Sequence, residues 1–166
     1  RNIVSPKKET TQQWLDCMET AHTVGVPSTA TMTFGMLETQ AERIEHMIRI
    51  RDLQDRTKGF RAFIAWTLSP YGTELSYVPM AGGVEYLKTV AIARIFLDNF
   101  PHITSGYVTE GMKVAQVALA FGCDDMGGTL MQEEVVAATG TGTPYSNVDT
   151  LIAAIRGAGK IPAQRD

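Results

Sequence analysis

Helical and strand patterns alternate along the whole of this 166-residue chain. Apolar residues recur every three to four positions in five segments, and short runs rich in Thr, Ile, Val and aromatic residues lie between them. This alternation predicts an α/β protein with parallel strands and right-handed crossovers. The predicted helices span residues 10–25, 39–59, 84–99, 112–121 and 147–155, and the predicted strands span residues 28–34, 60–68, 103–108 and 121–134.

Capping signals indicate where several of these helices begin. Thr10 is followed three residues later by Gln13, and Thr39 by Glu42, which is the pattern of a capping box. Asn147 precedes the last helical segment and has a side chain that can accept a hydrogen bond from the first turn. The helix starts are therefore the best defined boundaries in the sequence.

The first predicted strand has two chemically different faces. Aliphatic and aromatic side chains alternate with hydroxyls, so that Ala30, Met32 and Phe34 share one face and Thr29, Thr31 and Thr33 share the other. The hydroxyl face either lines a tighter or wetter space or forms an exposed sheet surface.

The polar face favours a barrel over a doubly wound sheet. Strands buried on both sides are nearly continuous aliphatic runs, whereas these strands carry Thr, Ser, Gly and Arg on one face. Four βα units make one half of an eight-stranded (β/α)8 barrel of the TIM type. We therefore predict that residues 1–166 form a single half-barrel domain, with residues 1–9 as a lead-in and residues 160–166 as a C-terminal tie-down. Because the chain begins on Arg1, we expect it to continue from something upstream.

Composition excludes two kinds of partner. A net charge of -3 and the absence of a basic stripe argue against nucleic acid. No apolar run approaches the roughly 20 residues that a membrane span requires, so we expect a cytoplasmic protein.

Cys17 and Cys123 lie far apart, without metal-ligand spacing, and each is expected to be a buried free thiol. His22 and His46 fall inside helical patterns and are expected to have ordinary packing or surface roles.

The segment from Phe121 to Glu134 combines acidic, hydroxyl and glycine residues between two helical patterns. Glycine lets a ligand approach the main chain, and polar groups can orient that ligand. The same pattern is also typical of a β-bulge followed by a solvated helix start, so the residues alone leave both readings open. The polar residues are Asp124, Asp125, Thr129, Glu133 and Glu134, and the paired glycines are Gly127 and Gly128.

A series of longer motifs resembles one known family. The segments TATMTFG, ERIEH, GFRAFIAW, YLKTVAIARIFLDN, KVAQVALAFG, DDMGGTLMQEE and IPAQRD occur in this order over almost the whole chain. Together they resemble the C-terminal half of the cyclic dehypoxanthine futalosine synthase family, radical S-adenosylmethionine enzymes of the futalosine route to menaquinone. The related aminofutalosine and deazaflavin-forming synthases are the alternatives.

The resemblance implies a barrel that holds a [4Fe-4S] cluster and S-adenosylmethionine and acts on a small futalosine-type nucleoside. The CxxxCxxC motif that binds the cluster in the family is absent from residues 1–166. A cluster needs three or four thiolates placed together, so neither cofactor is expected to be fully bound by this chain alone. Two hypotheses follow: the chain is a fragment or a truncated gene product that is inactive without an N-terminal half-barrel, or it is a non-catalytic half-barrel that self-associates.

The residues that match the family motifs are candidates for contacts with substrate or S-adenosylmethionine, and none is assigned a catalytic role. Trp66 could instead belong to the core, and Glu38 could instead interact with a helix dipole. The candidates are Glu38, Trp66, Thr73, Asp125, Gly128, Thr129 and Glu134.

Departures from the family pattern lie at the predicted strand ends. The family tends to have a histidine where this chain has Met36, and loss of an imidazole removes a possible base and ligand. These departures put activity on the family substrate in question. The altered positions are Met36, Leu68, Ser69, Gly72 and Tyr107.

Overall fold

The computed structural model describes residues 3–130, 138 and 146–165. The helix and strand alternation predicted from the sequence is present from the first helix to the third strand. The elements are α1 (Thr11–Thr23), β1 (Ser28–Phe34), α2 (Gln40–Thr57), β2 (Phe60–Thr67), α3 (Gly83–Phe96), β3 (His102–Thr104), α4 (Tyr107–Glu110), α5 (Met112–Ala118) and α6 (Val148–Gly157).

The strands form a parallel sheet in the order β1, β2, β3. This arrangement confirms the α/β class and the partial (β/α)8 barrel. The fourth predicted strand is wrong for residues 121–130, where Asp125 makes a single parallel bridge to Thr104 and no ladder follows. Residues 131–134, including Glu133 and Glu134, lie outside the described ranges.

A β-bulge changes which side chains share a face in β2. The register moves from Ser28 opposite Phe60 to Thr29 opposite Ala62, so one extra residue is inserted at the start of β2. Strict alternation along residues 60–68 predicts that Phe60 shares a face with Ala62, Ile64 and Trp66, and the bulge shows that this prediction is wrong for Phe60. Phe60 and Phe63 both contact the ring of Phe100 on the helical side of the sheet.

The third strand is shorter than predicted, because the chain turns away after Thr104. Ser105 donates its N–H to the carbonyl of Asp125, and Gly106 donates its N–H to the hydroxyl of Tyr86. The next residues form the single turn α4 instead of continuing the strand to Val108. Thr109 precedes the predicted helix 112–121 and is a residue type that can cap a helix, but it does not cap α5, which begins after Gly111 without a side-chain cap.

The hydrophobic core lies between one face of the sheet and the helices. Ala30, Met32 and Phe34 of β1 are buried there, together with Phe63 and Ala65 of β2. The opposite face of β1 carries exposed threonines, as the alternation predicted. The predicted capping boxes of α1 and α2 and the Asn147 cap of α6 are all confirmed. Among the described residues, no helix combines the length and the apolar character that a membrane crossing requires.

Close packing at the amino end of the sheet requires Gly59. A Cβ atom at this position would lie 2.0 Å from the His22 ring. That imidazole bonds to Thr57 Oγ1 at 2.7 Å and Ser28 Oγ at 2.8 Å, so it joins α1 to α2 and β1. The sequence predicted that Gly59 ends α2, but Lys58 takes the left-handed conformation, at φ 53°.

Acidification is expected to destabilise the fold through His22. Burial lowers the pKa of this imidazole from its usual 6.5, and outweighs the opposing effect of Glu19. Below about pH 6.5 the unfolded chain therefore binds more protons than the folded chain, so the free energy of unfolding falls as the pH drops toward the folded-state pKa. Burial shifts the pKa of His46 in the same direction.

Urea unfolding at pH 7.5 and pH 5.5 measures this effect. The variant His22→Asn is expected to lose less stability between the two pH values than the unaltered chain. An identical loss in both proteins would show that His22 is not responsible.

Candidate active-site face

The open face of the sheet carries the hydroxyl groups predicted from the sequence. Thr29, Thr31 and Thr33 are exposed on β1, and Thr33 lies opposite Trp66 of β2 in the parallel register. Side chains of parallel strands that are opposite in register point to the same side. The open face therefore combines hydroxyls with one large aromatic ring near the carboxyl ends of the strands.

Trp66 is a surface residue of this face. Its side chain is 37% exposed, and its indole N–H donates to Thr33 Oγ1 at 2.6 Å. The hydrogen bond uses the polar atom of the ring and leaves a flat apolar surface available to a ligand. The core-packing alternative for Trp66 is therefore wrong.

Glu38 clamps the main chain that follows β1. Its carboxylate accepts hydrogen bonds from the N–H groups of Gly35, at 2.7 Å, and Met36, at 2.9 Å. Burial on its own would raise the pKa of Glu38, but these bonds and the one from Arg43 outweigh it and lower the pKa. Both carboxylate oxygens are already engaged, so Glu38 holds the main chain at the carboxyl end of β1.

Arg43 connects Glu38 to the start of α3, which follows the loop after β2. Its guanidinium lies 2.7 Å from Glu38 and 2.8 Å from Glu85 at the start of α3, and 4.7 Å from the centroid of the Phe34 ring. Gly35 adds a second connection, because a Cβ atom on its left-handed backbone, at φ 78°, would lie 2.8 Å from Ala81 Cβ. The loops after β1 and β2 therefore form one packed unit.

Thr73 stabilises the long loop that follows β2. Its hydroxyl donates to the Pro70 carbonyl at 2.7 Å and accepts from the Leu75 N–H at 3.1 Å. These bonds close a turn within the loop. The structure therefore places Thr73 in a turn, where it bonds to main-chain groups of its own loop.

The two neighbouring aspartates have different partners. Asp124 accepts from the Ile103 N–H at 2.8 Å and pairs with Arg94 and His102. Burial alone would raise the pKa of Asp124, but these partners outweigh it and lower the pKa. Asp124 therefore joins the segment after α5 to β3 and α3.

Asp125 lies one position further on, beside β3. It accepts from the Thr104 hydroxyl at 2.6 Å and pairs with Arg165 at 3.1 Å. Arg165 belongs to the C-terminal segment, so this ion pair joins that segment to the residues beside β3.

The glycine pair continues past the aspartates. The Gly128 carbonyl accepts a hydrogen bond from the Tyr107 hydroxyl at 3.0 Å, and Gly128 and Thr129 are exposed. The candidate Glu134 lies outside the described residues.

Tyr107→Phe is expected to lower the free energy of unfolding by about 1 kcal/mol, because Tyr107 is buried and the variant lacks the hydrogen bond to Gly128. Urea unfolding measures the loss. Tyr71→Phe, at an exposed position of the loop after β2, is the matched control and should stay close to the original stability. Equal stability of the two variants would contradict a role for this bond.

Sequence reasoning missed Glu110 and Arg165. Glu110 accepts hydrogen bonds from the N–H and hydroxyl of Thr67, at 3.0 and 2.6 Å, and so holds the carboxyl end of β2. Glu110 lies between the predicted strand 103–108 and the predicted helix 112–121, and no sequence pattern links it to Thr67 on another strand. Arg165 was visible only as part of the motif IPAQRD.

The cysteines do not fit an iron-sulfur cluster. Cys17 is exposed on α1, contrary to the prediction, whereas Cys123 is buried as predicted, and burial raises its pKa to about 12. Two separated thiols cannot supply the three or four ligands that a cluster needs. In the part of the chain that the structure describes, no group of three His, Cys, Asp or Glu residues could hold a metal ion.

A cavity of about 260 Å³ lies elsewhere, between α1 and α2. Trp14 and His46 line it, and within the described residues the buried Nε2 atom of His46 has no hydrogen-bond partner. The cavity is formed by the helical layer, so it is separate from the open sheet face.

The parallel strands, the helices on one side and the polar face on the other define a partial (β/α)8 barrel. The family described as CofH/MqnC C-terminal region matches residues 57–166, and the chain belongs to this family.

Named relatives match nearly the whole chain. It is 48% identical over 165 residues to the cyclic dehypoxanthine futalosine synthase of Streptomyces coelicolor, covering 99% of this chain and 41% of that protein. It is 40% identical over 171 residues to the aminodeoxyfutalosine synthase of Thermus thermophilus, covering 100% of this chain and 46% of that protein. It is 37% identical over 174 residues to a 5-amino-6-(D-ribitylamino)uracil--L-tyrosine 4-hydroxyphenyl transferase 2 of Methanosarcina mazei, covering 100% of this chain and 45% of that protein. The chain thus spans less than half the length of these relatives.

Proposed function

We propose that this chain forms the substrate-facing C-terminal half of a radical S-adenosylmethionine enzyme that cyclises dehypoxanthine futalosine. The observation that carries the proposal is the exposed face of Thr31, Thr33 and Trp66 at the carboxyl ends of parallel strands, where barrel enzymes bind their substrates. The 48% identity to a cyclic dehypoxanthine futalosine synthase supports this substrate over those of the other relatives.

The chain requires a second half-barrel for this activity. Within the described residues, β1 pairs with β2 on one edge and has no strand on the other, which leaves a row of main-chain groups for an upstream strand. Closure of the barrel would cover the hydroxyl face and exclude water from it. The cluster-binding cysteines would come from that second half, since Cys17 and Cys123 do not fit the cluster. The chain alone is therefore inactive.

The residues of this half bind and orient the ligand. Trp66 offers a ring on which a nucleobase or aryl group can stack, and the β1 hydroxyls can accept and donate hydrogen bonds to a ribose. Glu38 and Glu110 hold the ends of β1 and β2 in place without contacting the ligand themselves. Met36 lies at the position of the family's histidine, so proton transfer at this point would need another group.

Self-association is the alternative function, and the same exposed edge and face support it. Two copies of a half-barrel could cover each other's edges around a two-fold axis. Light scattering on the purified 166-residue chain separates the cases. A stable folded monomer at micromolar concentration would count against self-association, whereas a dimer would favour it.

The direct test uses the protein produced from its natural reading frame, with its cluster reconstituted anaerobically. With dehypoxanthine futalosine and a reductant, we expect formation of 5′-deoxyadenosine and of the cyclised product. The 166-residue chain alone should bind no cluster, as measured by iron content. The proposal is wrong if the protein from the natural reading frame also binds no iron, or if it forms 5′-deoxyadenosine at the same rate with and without the substrate.

A further inference from the structure

A guanidinium group lies at the open face beside Asp125. Nη2 of Arg165 is 3.1 Å from Asp125 Oδ2, and the Thr104 hydroxyl donates to the same oxygen at 2.6 Å. The Asp125 side chain is largely buried, while that of Arg165 is 38% exposed. Asp125 is thus fixed by β3, and it fixes the guanidinium in turn.

Several N–H donors of Arg165 are not used by the bond to Asp125. A guanidinium has five N–H donors in one rigid plane, and within the described residues the bond to Asp125 accounts for one of them. A carboxylate that holds one edge of the plane leaves another edge facing solvent. That edge matches the paired oxygens of a carboxylate or a phosphate group.

The position of Arg165 relative to Trp66 sets the size of the ligand. Trp66 lies on β2, Thr104 lies on β3, and Asp125 bridges to Thr104 one step further out. Neighbouring strands are about 4.8 Å apart, and Trp66 lies two residues beyond Ile64, the partner of Thr104. The offsets of about 10 Å across the strands and about 7 Å along them place Trp66 and the Asp125 anchor of the arginine roughly 12 Å apart. A nucleoside or an aromatic amino acid has a suitable length to reach from one to the other.

We infer that Arg165 forms an anion subsite, which binds a carboxylate or phosphate group of a ligand whose aromatic part stacks on Trp66. This inference rests on the proposed function, because it uses the same ligand face. It adds a chemical requirement, since a ligand for this face carries a negative charge at one end. The Asp125 carboxylate then acts as a positioning group for Arg165.

Matched pairs of probes test the subsite by calorimetric titration of the protein from its natural reading frame. L-tyrosine and tyramine differ only by the carboxylate, and adenosine 5′-monophosphate and adenosine differ only by the phosphate. We expect the member that carries the carboxylate or phosphate to bind about tenfold more tightly than the member that lacks it in at least one pair, and the pair that shows this difference identifies the group. Arg165→Gln should abolish the difference, Arg165→Lys should retain part of it, and Arg49→Gln on α2 should leave it unchanged.

The possible outcomes distinguish a failure of the anion subsite from a failure of the ligand face. Equal binding within both pairs, or a preference that survives in a folded Arg165→Gln protein, overturns the anion subsite and leaves the proposed function standing. Unfolding midpoints of each variant show whether it is folded, and Arg165→Lys provides a second variant with the charge intact. Binding of tyramine and adenosine to Trp66→Ala as tightly as to the unaltered protein overturns the ligand face itself. Absence of binding by all four probes overturns the anion subsite, and the proposed function is then decided separately by turnover of dehypoxanthine futalosine.

Discussion

Replacing Phe60 with alanine is expected to lower the free energy of unfolding by about 4 kcal/mol. The ring is 1% exposed and stands at the centre of an aromatic cluster between the sheet and the helices. Its centroid lies 4.7 Å from that of His22, 5.3 Å from that of Phe100 and 6.2 Å from that of Trp14. Removal of the ring would leave a cavity between α1, which carries His22 and Trp14, and the segment before β3, which carries Phe100.

Urea unfolding of Phe60→Ala, followed by circular dichroism, measures this loss. Phe121→Ala is the matched control, because Phe121 is 42% exposed in the turn after α5 and should cost about 1 kcal/mol or less. A loss for Phe60→Ala no greater than that for Phe121→Ala would show that the cluster does not hold the helical layer to the sheet.

Phe60 also illustrates that sequence periodicity predicts a strand but not its register with a neighbouring strand. Alternation predicted the strand correctly, and it predicted the two faces of β1. It placed Phe60 on the wrong face, because the bulge opposite Ser28 is set by pairing with another strand. Local patterns determine the existence of an element, whereas register depends on contacts between segments distant in sequence.

The same distinction explains the end of β3. The residues after Thr104 favour a strand by composition, yet the N–H groups of Ser105 and Gly106 bond to Asp125 and Tyr86. These partners lie about 20 residues away in either direction, so no local window contains the information. The helix caps, by contrast, were predictable since each capping bond joins residues three positions apart.

The candidate site was predictable in its location and only partly in its residues. Strand ends were the expected place, and Trp66 and Asp125 lie there on the open face. Glu38 and Thr73 lie at the same end but bond to their own loops. Arg165 comes to the site from the C-terminal segment through an ion pair that spans 40 residues, a contact that a linear motif does not contain.

Replacing Arg43 with alanine is expected to lower the free energy of unfolding by about 2–3 kcal/mol. The side chain is 13% exposed and bonds to two carboxylates, so its removal would leave Glu38 and Glu85 without their cation. Breaking a fully buried ion pair from one side costs about 3–5 kcal/mol, and the partial exposure of Glu85 reduces that figure. The variant also loses the contact of the guanidinium with the Phe34 ring.

Arg49→Ala is the matched control for this variant, because it makes the same change on the same helix. Arg49 forms an exposed i,i+4 pair with Glu45, a pair that contributes about 0.3–0.5 kcal/mol. Hydrogen exchange then separates a local effect from a general one. In Arg43→Ala, the Gly35 and Met36 amides, which donate to Glu38, should exchange faster than those of β2, because the carboxylate that protects them has lost its anchor. If Arg43→Ala and Arg49→Ala cost the same, or if the Gly35 and Met36 amides keep their protection, the packed unit of the two strand-end loops does not depend on Arg43.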